Sequence, residues 1–270
     1  MDDLTALREV PVKKIIRAHN KMIFEYMQSN KSTAFIPTVD QDLIPEKPIK
    51  MISNGYAKDI PLLIGTNKDE VKFMQALIPN PTDYDSNNLI TDVNRVLSDL
   101  NEDNKKAEDL INAYIEGRKD KLSTEPLEIR DAIMTDIVFR ILSTRLAEIQ
   151  KKHQPNTYMY LFEWPSPWMD GKLGAPHAIE VSFAFGTCDK PGTEVYCGKG
   201  KDVEELSSKV MDSWISFART GNPNHENIPN WPQYDSEKRA TLIFDKNIKV
   251  VNAPLELERK AWDDIDISLI

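Results

Sequence analysis

The sequence predicts an α/β fold in which helices flank a mostly parallel sheet. Strand-like and helical segments alternate along the chain, which is the pattern of that fold class. Leu62-Leu63-Ile64 is a short apolar run that stops at Gly65, and it predicts a strand buried on both faces. The segment TYMYLFEW, residues 157–164, is rich in aromatic residues of high β propensity and predicts a second strand. Neither an internal repeat nor an obvious domain linker interrupts this order.

Helical spacing dominates the first part of the chain and the stretch between the two strands. Residues 8–30 mix apolar and charged side chains, with Pro11 suited to a first turn. Residues 71–152 contain few strand signals and are predicted to be mostly helical. The clearest helix covers about 126–152, where isoleucine and leucine recur at three- and four-residue spacing and make a wide apolar stripe.

The last third of the chain predicts a long helix, a hairpin and a short helix. Asp202 and Glu205 have the spacing of a capping box at the start of the long helix, and Gly221 has the position of its stop. Residues 240–251 predict two short strands around a turn, and residues 254–264 predict a final helix.

Composition excludes several classes of function. The 270 residues are 40% hydrophobic and 29% charged, and 34 basic residues against 43 acidic ones give a net charge of −9. This balance argues against a nucleic-acid partner and against an anionic membrane surface. The apolar runs are far shorter than the ~20 residues of a membrane span, and the first residues resemble no secretory signal. We therefore expect a cytoplasmic protein.

Two cysteines, Cys188 and Cys197, lie in one Gly/Pro-rich stretch and belong to no CxxC motif. The simplest interpretation is a pair of reduced loop thiols in a cytosolic protein. A small local disulfide is the alternative.

One acid and one histidine have the placement that acid–base chemistry requires. Glu70 follows the first strand in GTNKDE, and His177 follows the second in GAPHAIEVSFAFG. Loops at the carboxyl ends of parallel strands meet at one edge of a sheet, so these side chains can lie close together. Acid followed by histidine is also the end of the Ser, Asp/Glu, His order of α/β-hydrolases. The simpler interpretation is a structural or solvated histidine and an ordinary surface carboxylate.

The spacing of His177 and Glu180 raises the alternative of metal ligation. No HExxH, no CxxC and no third ligand nearby supports it, and we predict neither a metal nor a cofactor.

Several separated motifs, in order, resemble those of one family. They are IPLLIGTNKDE, YMYLFEWPSP, GAPHAIEVSFAFG, SWISFARTGNPN with PNWPQYD, and RATLIFD. Over nearly its whole length the chain resembles the C-terminal half of a type B carboxylesterase, in the para-nitrobenzyl esterase and cholinesterase-like branch of the α/β-hydrolases. The resemblance implies that residues 1–270 are the C-terminal portion of one α/β-hydrolase domain, with a helical segment, 71–152, bordering the active site.

The resemblance also implies roles for three residues. Glu70 would be the acid of a catalytic triad, His177 its general base, and Glu180 a buried structural carboxylate near the histidine loop. Val71 departs from the family pattern, which usually has glycine after the acid, and this bears on the turn that aims Glu70.

The family mechanism needs a serine in a GxSxG elbow and a Gly-rich oxyanion loop, and none of the ten glycines begins such an elbow. We therefore expect the N-terminal half with the nucleophile to be absent from this chain, and the chain alone to be inactive. Its expected partner is that half, or a second copy through the exposed edge of the LLIGT strand, and its expected substrate a small hydrophobic ester. The alternatives are a non-catalytic cholinesterase-like interaction module and a degenerate remnant without a stable fold.

Overall fold

A computed structural model describes residues 3–28, 37–76, 83–103 and 105–266. They divide into two compact units, Met1–Met51 and Ile52–Ile270. The first unit contains helices α1 (Asp3–Glu9) and α2 (Val12–Gln28). The helical structure predicted over 8–30 is present in the described residues except at 10 and 11, because Pro11 has no N–H to continue α1. Its carbonyl instead accepts from Lys14 N at 2.8 Å and opens α2, as a first-turn proline does; residues 29 and 30 lie outside the described residues.

A four-stranded sheet organises the second unit. The strands are β1 (Leu62–Asn67), β2 (Thr157–Phe162), β3 (Ala240–Phe244) and β4 (Lys249–Asn252), in the order β1-β2-β3-β4. The first three run parallel, and β4 returns antiparallel to β3. The predicted α/β class with a mostly parallel sheet is confirmed, and so are the strands expected around 62–64, 157–164 and 240–251.

Strand β1 lies at an edge of the described sheet. Its first four residues, 62–65, are half-buried, and only Thr66 and Asn67 are fully buried. Strand β1 is therefore less buried than the sequence predicts, because β2 covers only one of its two edges in the described part of the chain. Gly65 is required by its neighbour, since a Cβ there would stand 2.4 Å from the Cγ and from the carbonyl oxygen of Tyr160.

Helices cover both faces of this sheet. Side chains alternate along β2, so that Tyr158 and Phe162 face one side and Met159 faces the other. Helices α9 (Ile179–Ala184) and α11 (Lys201–Thr220) cover the first side, where the buried core also includes Phe183, Val203, Leu206, Val210, Trp231 and Phe244. Helix α8 (Ile141–Lys151) packs against β1 and β2 on the second side.

The chain between β1 and β2 is mostly helical, as predicted. It contains α4 (Lys72–Ala76), α5 (Ser86–Asp99), α6 (Lys106–Arg118) and α7 (Pro126–Thr135) before α8. The helix predicted over 126–152 is present, but a π-turn, Asp136–Arg140, separates α7 from α8. Helices α5, α6 and α7 bury a second apolar cluster that includes Leu97, Leu110, Tyr114, Ile129, Ile133 and Trp262.

The start of α11 differs from expectation. Its N-cap residue is Gly200, and no side chain caps the helix. Asp202 instead accepts from Lys246 Nζ at 2.6 Å, so the predicted capping box with Glu205 is wrong. Gly221 ends the helix with φ 73°, as expected. The remaining helices are α3 (Pro48–Ser53), α10 (Glu194–Cys197) and α12 (Glu256–Lys260), the last shorter than the predicted 254–264.

Buried charges join the π-turn to α12. Asp136 is paired with Arg140 and accepts a hydrogen bond from Tyr114. Glu258, only 2% exposed, has its carboxylate 3.5 Å from Arg140 and 3.6 Å from Arg118. Burial raises the pKa of Glu258 to about 7, with Asp136 adding to the shift and both arginines opposing it.

Among the residues that the structure describes, no helix combines the length and the apolar character needed to cross a membrane.

Candidate active site

The structure brings Glu70 and His177 together, although 107 positions separate them in the sequence. Oε2 of Glu70 lies 2.7 Å from Nδ1 of His177. The other carboxylate oxygen, Oε1, accepts the backbone N–H of Asn67 at 2.7 Å. The Glu70 side chain is 5% exposed and that of His177 41% exposed. A buried, hydrogen-bonded acid therefore holds one nitrogen of an accessible imidazole.

The parallel register of β1 and β2 explains why Glu70 and His177 lie together. Asn67 and Phe162 are paired at the carboxyl ends of the two strands, and Lys68 N still donates to Phe162 O at 3.0 Å. Glu70 thus leaves the sheet beside the segment that leads from β2 to His177. The sequence predicted this juxtaposition from the strand ends alone.

Asp69 holds the loop that leads to His177 through two hydrogen bonds to Ala175, and the sequence analysis did not predict this contact. Its backbone N–H donates to Ala175 O at 2.9 Å, and its Oδ2 accepts the Ala175 N–H at 3.0 Å. Gly174 allows the close approach: its φ is +59°, and a Cβ there would stand 2.2 Å from Asp69 Oδ2. Lys72 also pairs with Asp69, at 3.1 Å. The glycine directly before the Ala175-Pro176 step was the one available signal, and it did not identify the partner.

Glu180 lies at the start of α9 and is tied to the strand that carries the acid. Its Oε2 accepts from Asn67 Nδ2 at 2.5 Å. Burial raises the pKa of Glu180, and the hydrogen bond from Asn67 opposes that shift. The residue is half-buried rather than fully buried. Asn67 therefore contacts both carboxylates, Glu70 through its backbone and Glu180 through its side chain.

Val71 fits the turn after the acid without strain. It is 4% exposed, and its N–H donates to Thr135 Oγ1 at 3.4 Å. Its φ is not positive, so this position does not require the glycine that the family pattern has there. The difference from the family pattern leaves the contact between Glu70 and His177 in place.

Three further residues hold His177 from other directions, and sequence reasoning identified none of them. Tyr196 Oη donates to the carbonyl oxygen of His177 at 2.5 Å. The ring of Phe139, in the π-turn, lies 5.2 Å from the imidazole, measured between centroids. Ala178, directly after the histidine, has φ +61°, a left-handed conformation that is costly for a residue with a Cβ. The imidazole thus contacts Glu70 and Phe139, and Tyr196 holds the backbone of the same histidine.

An aromatic cavity opens beside the imidazole. Phe73, Trp168 and Tyr196 lie with ring centroids 6.0 Å apart in each pair. Together with His177, Ala178, Gly192 and Val195 they line a cavity of about 530 Å³. This is large enough for a small organic molecule, and its walls are mainly apolar.

Within the described ranges, no group of three or more His, Cys, Asp or Glu side chains could hold a metal ion.

A mostly parallel sheet with an acid and a histidine at its strand ends is the arrangement of the α/β-hydrolase fold, and the chain superposes on solved esterases. A carboxylesterase of Geobacillus stearothermophilus, EST55, superposes with a TM-score of 0.75 and 28% identity, over 97% of this chain and 51% of that one. A PNB esterase superposes with a TM-score of 0.72 and 29% identity, over 96% and 49% of the two chains.

The family follows from the sequence comparison. The model of the carboxylesterase family matches residues 2–262, and the chain belongs to that family. Para-nitrobenzyl esterase of Bacillus subtilis is 30% identical over 257 residues, which are 95% of this chain and 49% of that protein. Phenmedipham hydrolase of Pseudarthrobacter oxydans is 29% identical over 245 residues, 90% of this chain and 47% of that protein. The chain thus spans about half the length of these curated relatives.

Proposed function

We propose that this chain supplies the acid and the general base of a serine carboxylesterase that hydrolyses carboxylic esters by acyl transfer. The observation that carries the proposal is the 2.7 Å contact between Glu70 Oε2 and His177 Nδ1, beside an apolar cavity. Membership of the carboxylesterase family supports it.

The proposed mechanism gives a task to each nitrogen of the imidazole. Glu70 accepts a hydrogen bond from the Nδ1–H of His177, which leaves the lone pair on Nε2. Nε2 takes the proton of a serine hydroxyl as its oxygen attacks the ester carbonyl, and then gives that proton to the departing alcohol. Glu70 stabilises the imidazolium that exists between these two transfers. Water repeats the cycle on the acyl-enzyme and releases the acid.

The substrate class follows from the cavity walls. Phe73, Trp168 and Tyr196 offer aromatic surface and few polar partners, so the favoured group is a hydrophobic acyl or alcohol part. We propose small hydrophobic carboxylic esters as substrates.

The nucleophile is part of the proposal. No glycine of the printed sequence begins a GxSxG elbow. We propose that a segment outside these 270 residues carries the serine and the oxyanion donors and pairs along the free edge of β1, and that without it the chain is inactive. A second copy of the chain on that edge is the competing occupant. A cytoplasmic location fits the two free cysteines.

The test is reconstitution of hydrolysis of p-nitrophenyl butyrate. The purified chain is assayed alone and after co-expression with the half of Bacillus subtilis para-nitrobenzyl esterase that it does not match. We expect activity only in the combination. His177→Ala and Glu70→Gln should each lower kcat at least about 10³-fold, as loss of a triad member does. His153→Ala, a histidine elsewhere in the chain, should retain activity and serves as the matched control.

A positive control is needed to interpret a negative result. The same upstream half of the Bacillus subtilis esterase must regain activity when it is combined with its own downstream half. If it does, silence with this chain argues against the split esterase and for the non-catalytic interaction module. Hydrolysis by the chain alone that survives His177→Ala would contradict the assignment of the general base.

A further inference from the structure

The two cysteines form a buried pair, although they are nine positions apart in a loop. Cys197 is 0% exposed and Cys188 is 7% exposed, and both belong to the apolar cluster between the sheet and α11. Both are free thiols, and their side chains are hydrogen-bonded to each other.

Backbone contacts hold the two thiol-bearing segments together. Thr193 Oγ1 donates to Thr187 O at 2.7 Å, next to Cys188. The Cys197 N–H donates to Thr193 O at 2.8 Å, and Trp164 Nε1 donates to Cys197 O at 2.9 Å. The contact between the thiols therefore lies in a segment that hydrogen bonds hold in place.

A cavity gives access to one member of the pair. Cys188 lines a cavity of about 540 Å³ whose walls also include Asp189, Lys199 and Met211. Cys197 is not in that wall. A small reagent in the cavity can thus meet Cys188, whereas Cys197 stays behind it.

The hydrogen bond between the two thiols shifts their pKa values in opposite directions. It raises the pKa of the Cys188 thiol, with burial adding to the shift, and it lowers that of Cys197, helped by Ser182. Cys197 is accordingly the better thiolate of the pair. A thiolate that is hydrogen-bonded to a neighbouring thiol can take the proton of that thiol and can later attack its sulfur, which is the task of a resolving cysteine.

We propose that Cys188 and Cys197 are a redox modification site, which a low-molecular-weight disulfide converts into an intramolecular disulfide bond. Cys197 first gives its proton to solvent, and the resulting thiolate takes the proton of Cys188 as the Cys188 sulfur attacks one sulfur of glutathione disulfide. One glutathione departs as a thiolate that takes up a proton from solvent, and a mixed disulfide remains on Cys188. Cys197 then loses its proton to solvent and attacks the Cys188 sulfur, and the second glutathione departs. The protein loses two electrons and two hydrogens, and the glutathione disulfide gains them.

A disulfide bond between Cys188 and Cys197 would close a loop that contacts His177. Tyr196, which donates to the His177 carbonyl, is the residue before Cys197, and Gly192 and Val195 of the same loop line the aromatic cavity. Oxidation therefore fixes one wall of that cavity. The site itself does not depend on the proposed esterase activity, because its readout is the covalent state of two sulfurs.

The experiment follows that covalent state in the folded 270-residue chain. Protein is incubated with glutathione disulfide, quenched with acid, alkylated with N-ethylmaleimide in denaturant and measured by intact mass. The native sequence should go from two alkylated thiols to none, retain no glutathione, and recover both thiols with dithiothreitol. Cys197→Ser should stop at one glutathione on Cys188. Cys188→Ser should remain unmodified, with Cys197 fully alkylated.

Four results would overturn the proposal. The native sequence could keep both thiols free under conditions that modify Cys197→Ser, or keep a stable glutathione adduct. Cys188→Ser could react as fast as Cys197→Ser. The disulfide could join two chains, which a non-reducing gel would reveal as a dimer. The measurement on the native sequence is decisive without the variants, so misfolding of a variant does not weaken the test.

Discussion

The contact between Asp69 and the histidine loop gives the sharpest prediction. Asp69→Ala removes the carboxylate that accepts the Ala175 N–H at 3.0 Å. Ala175 is 1% exposed, so that N–H loses its partner without gaining water, which costs about 1–3 kcal/mol. The half-buried pair with Lys72 is lost too, worth roughly 0.5–1 kcal/mol because Lys72 keeps Glu128 at 2.8 Å. Opening of the loop should become easier by about 2–4 kcal/mol.

Amide hydrogen exchange at Ala175 measures this opening directly. Since about 1.4 kcal/mol is a factor of ten in an equilibrium, exchange in Asp69→Ala should quicken by about 10- to 10³-fold. Asp69→Asn keeps an acceptor oxygen without the charge, and should lie between the native sequence and Asp69→Ala. In the reconstituted esterase, both should lower kcat by loosening His177.

Two outcomes would refute this reasoning. Exchange at Ala175 in Asp69→Ala within about threefold of the native rate, equivalent to ~0.6 kcal/mol, would mean that the carboxylate does not hold the loop. Equal acceleration in Asp69→Asn and Asp69→Ala would mean that charge, and not the accepted hydrogen bond, carries the effect.

Three further predictions concern stability, measured by urea denaturation. Gly65→Ala should cost about 3 kcal/mol, because its Cβ would overlap the Tyr160 backbone as well as its ring. Phe183→Ala should cost about 3–5 kcal/mol, since the side chain is 0% exposed and packs 5.2 Å from the Phe162 ring. The raised pKa of Glu258, about 7 against 4.5, means that the folded state binds its proton more tightly. Its stabilising contribution is present below pH 4.5 and lost as pH rises to 7, by ~3 kcal/mol, and Glu258→Gln should flatten the stability profile over that window.

Matched variants separate these mechanisms from general effects. Gly117→Ala places a Cβ no closer than 3.3 Å to its neighbours and should be well tolerated; equal cost at Gly65 and Gly117 would refute the overlap. Phe185 is 76% exposed, and Phe185→Ala should stay within ~0.5 kcal/mol of the native sequence. An unchanged pH profile in Glu258→Gln would show that the carboxylate ionises in the folded state as it does in the unfolded chain.

The strands were predictable because each is a short apolar run between breakers, and such runs leave little choice of local structure. The prediction for β1 failed in the degree of burial: residues 62–64 are half-buried because β1 lies at an edge of the described sheet. The position of a strand within a sheet is a tertiary property that a short apolar run does not encode. The capping box failed for a different reason. Asp202 had the right spacing for a cap, but the helix begins at Lys201 with Gly200 as its N-cap, so Asp202 lies inside the first turn.

Only the part of the candidate site that depends on the order of the parallel strands was predictable from the sequence. Glu70 and His177 follow strand ends, so a parallel sheet brings them together whatever the intervening chain does. Asp69, Asn67 and Tyr196 hold that pair through individual backbone groups, and the sequence carries no periodic signal for such contacts. Their types are also common in loops, so nothing marked them in advance.

The π-turn at 136–140 shows how a single helix can belong to two cores. Ile141 N–H donates to Asp136 O, five residues back, so the turn holds one residue more than an α-helical turn. That extra residue shifts the angular phase of all that follows by about 100°. Before it, α7 packs on α5 and α6; after it, α8 packs on β1 and β2. A substitution here changes one contact, whereas a one-residue deletion would rotate the apolar stripe of α8 off the sheet and withdraw Phe139 from the imidazole. The segment is therefore constrained in length more strictly than in composition.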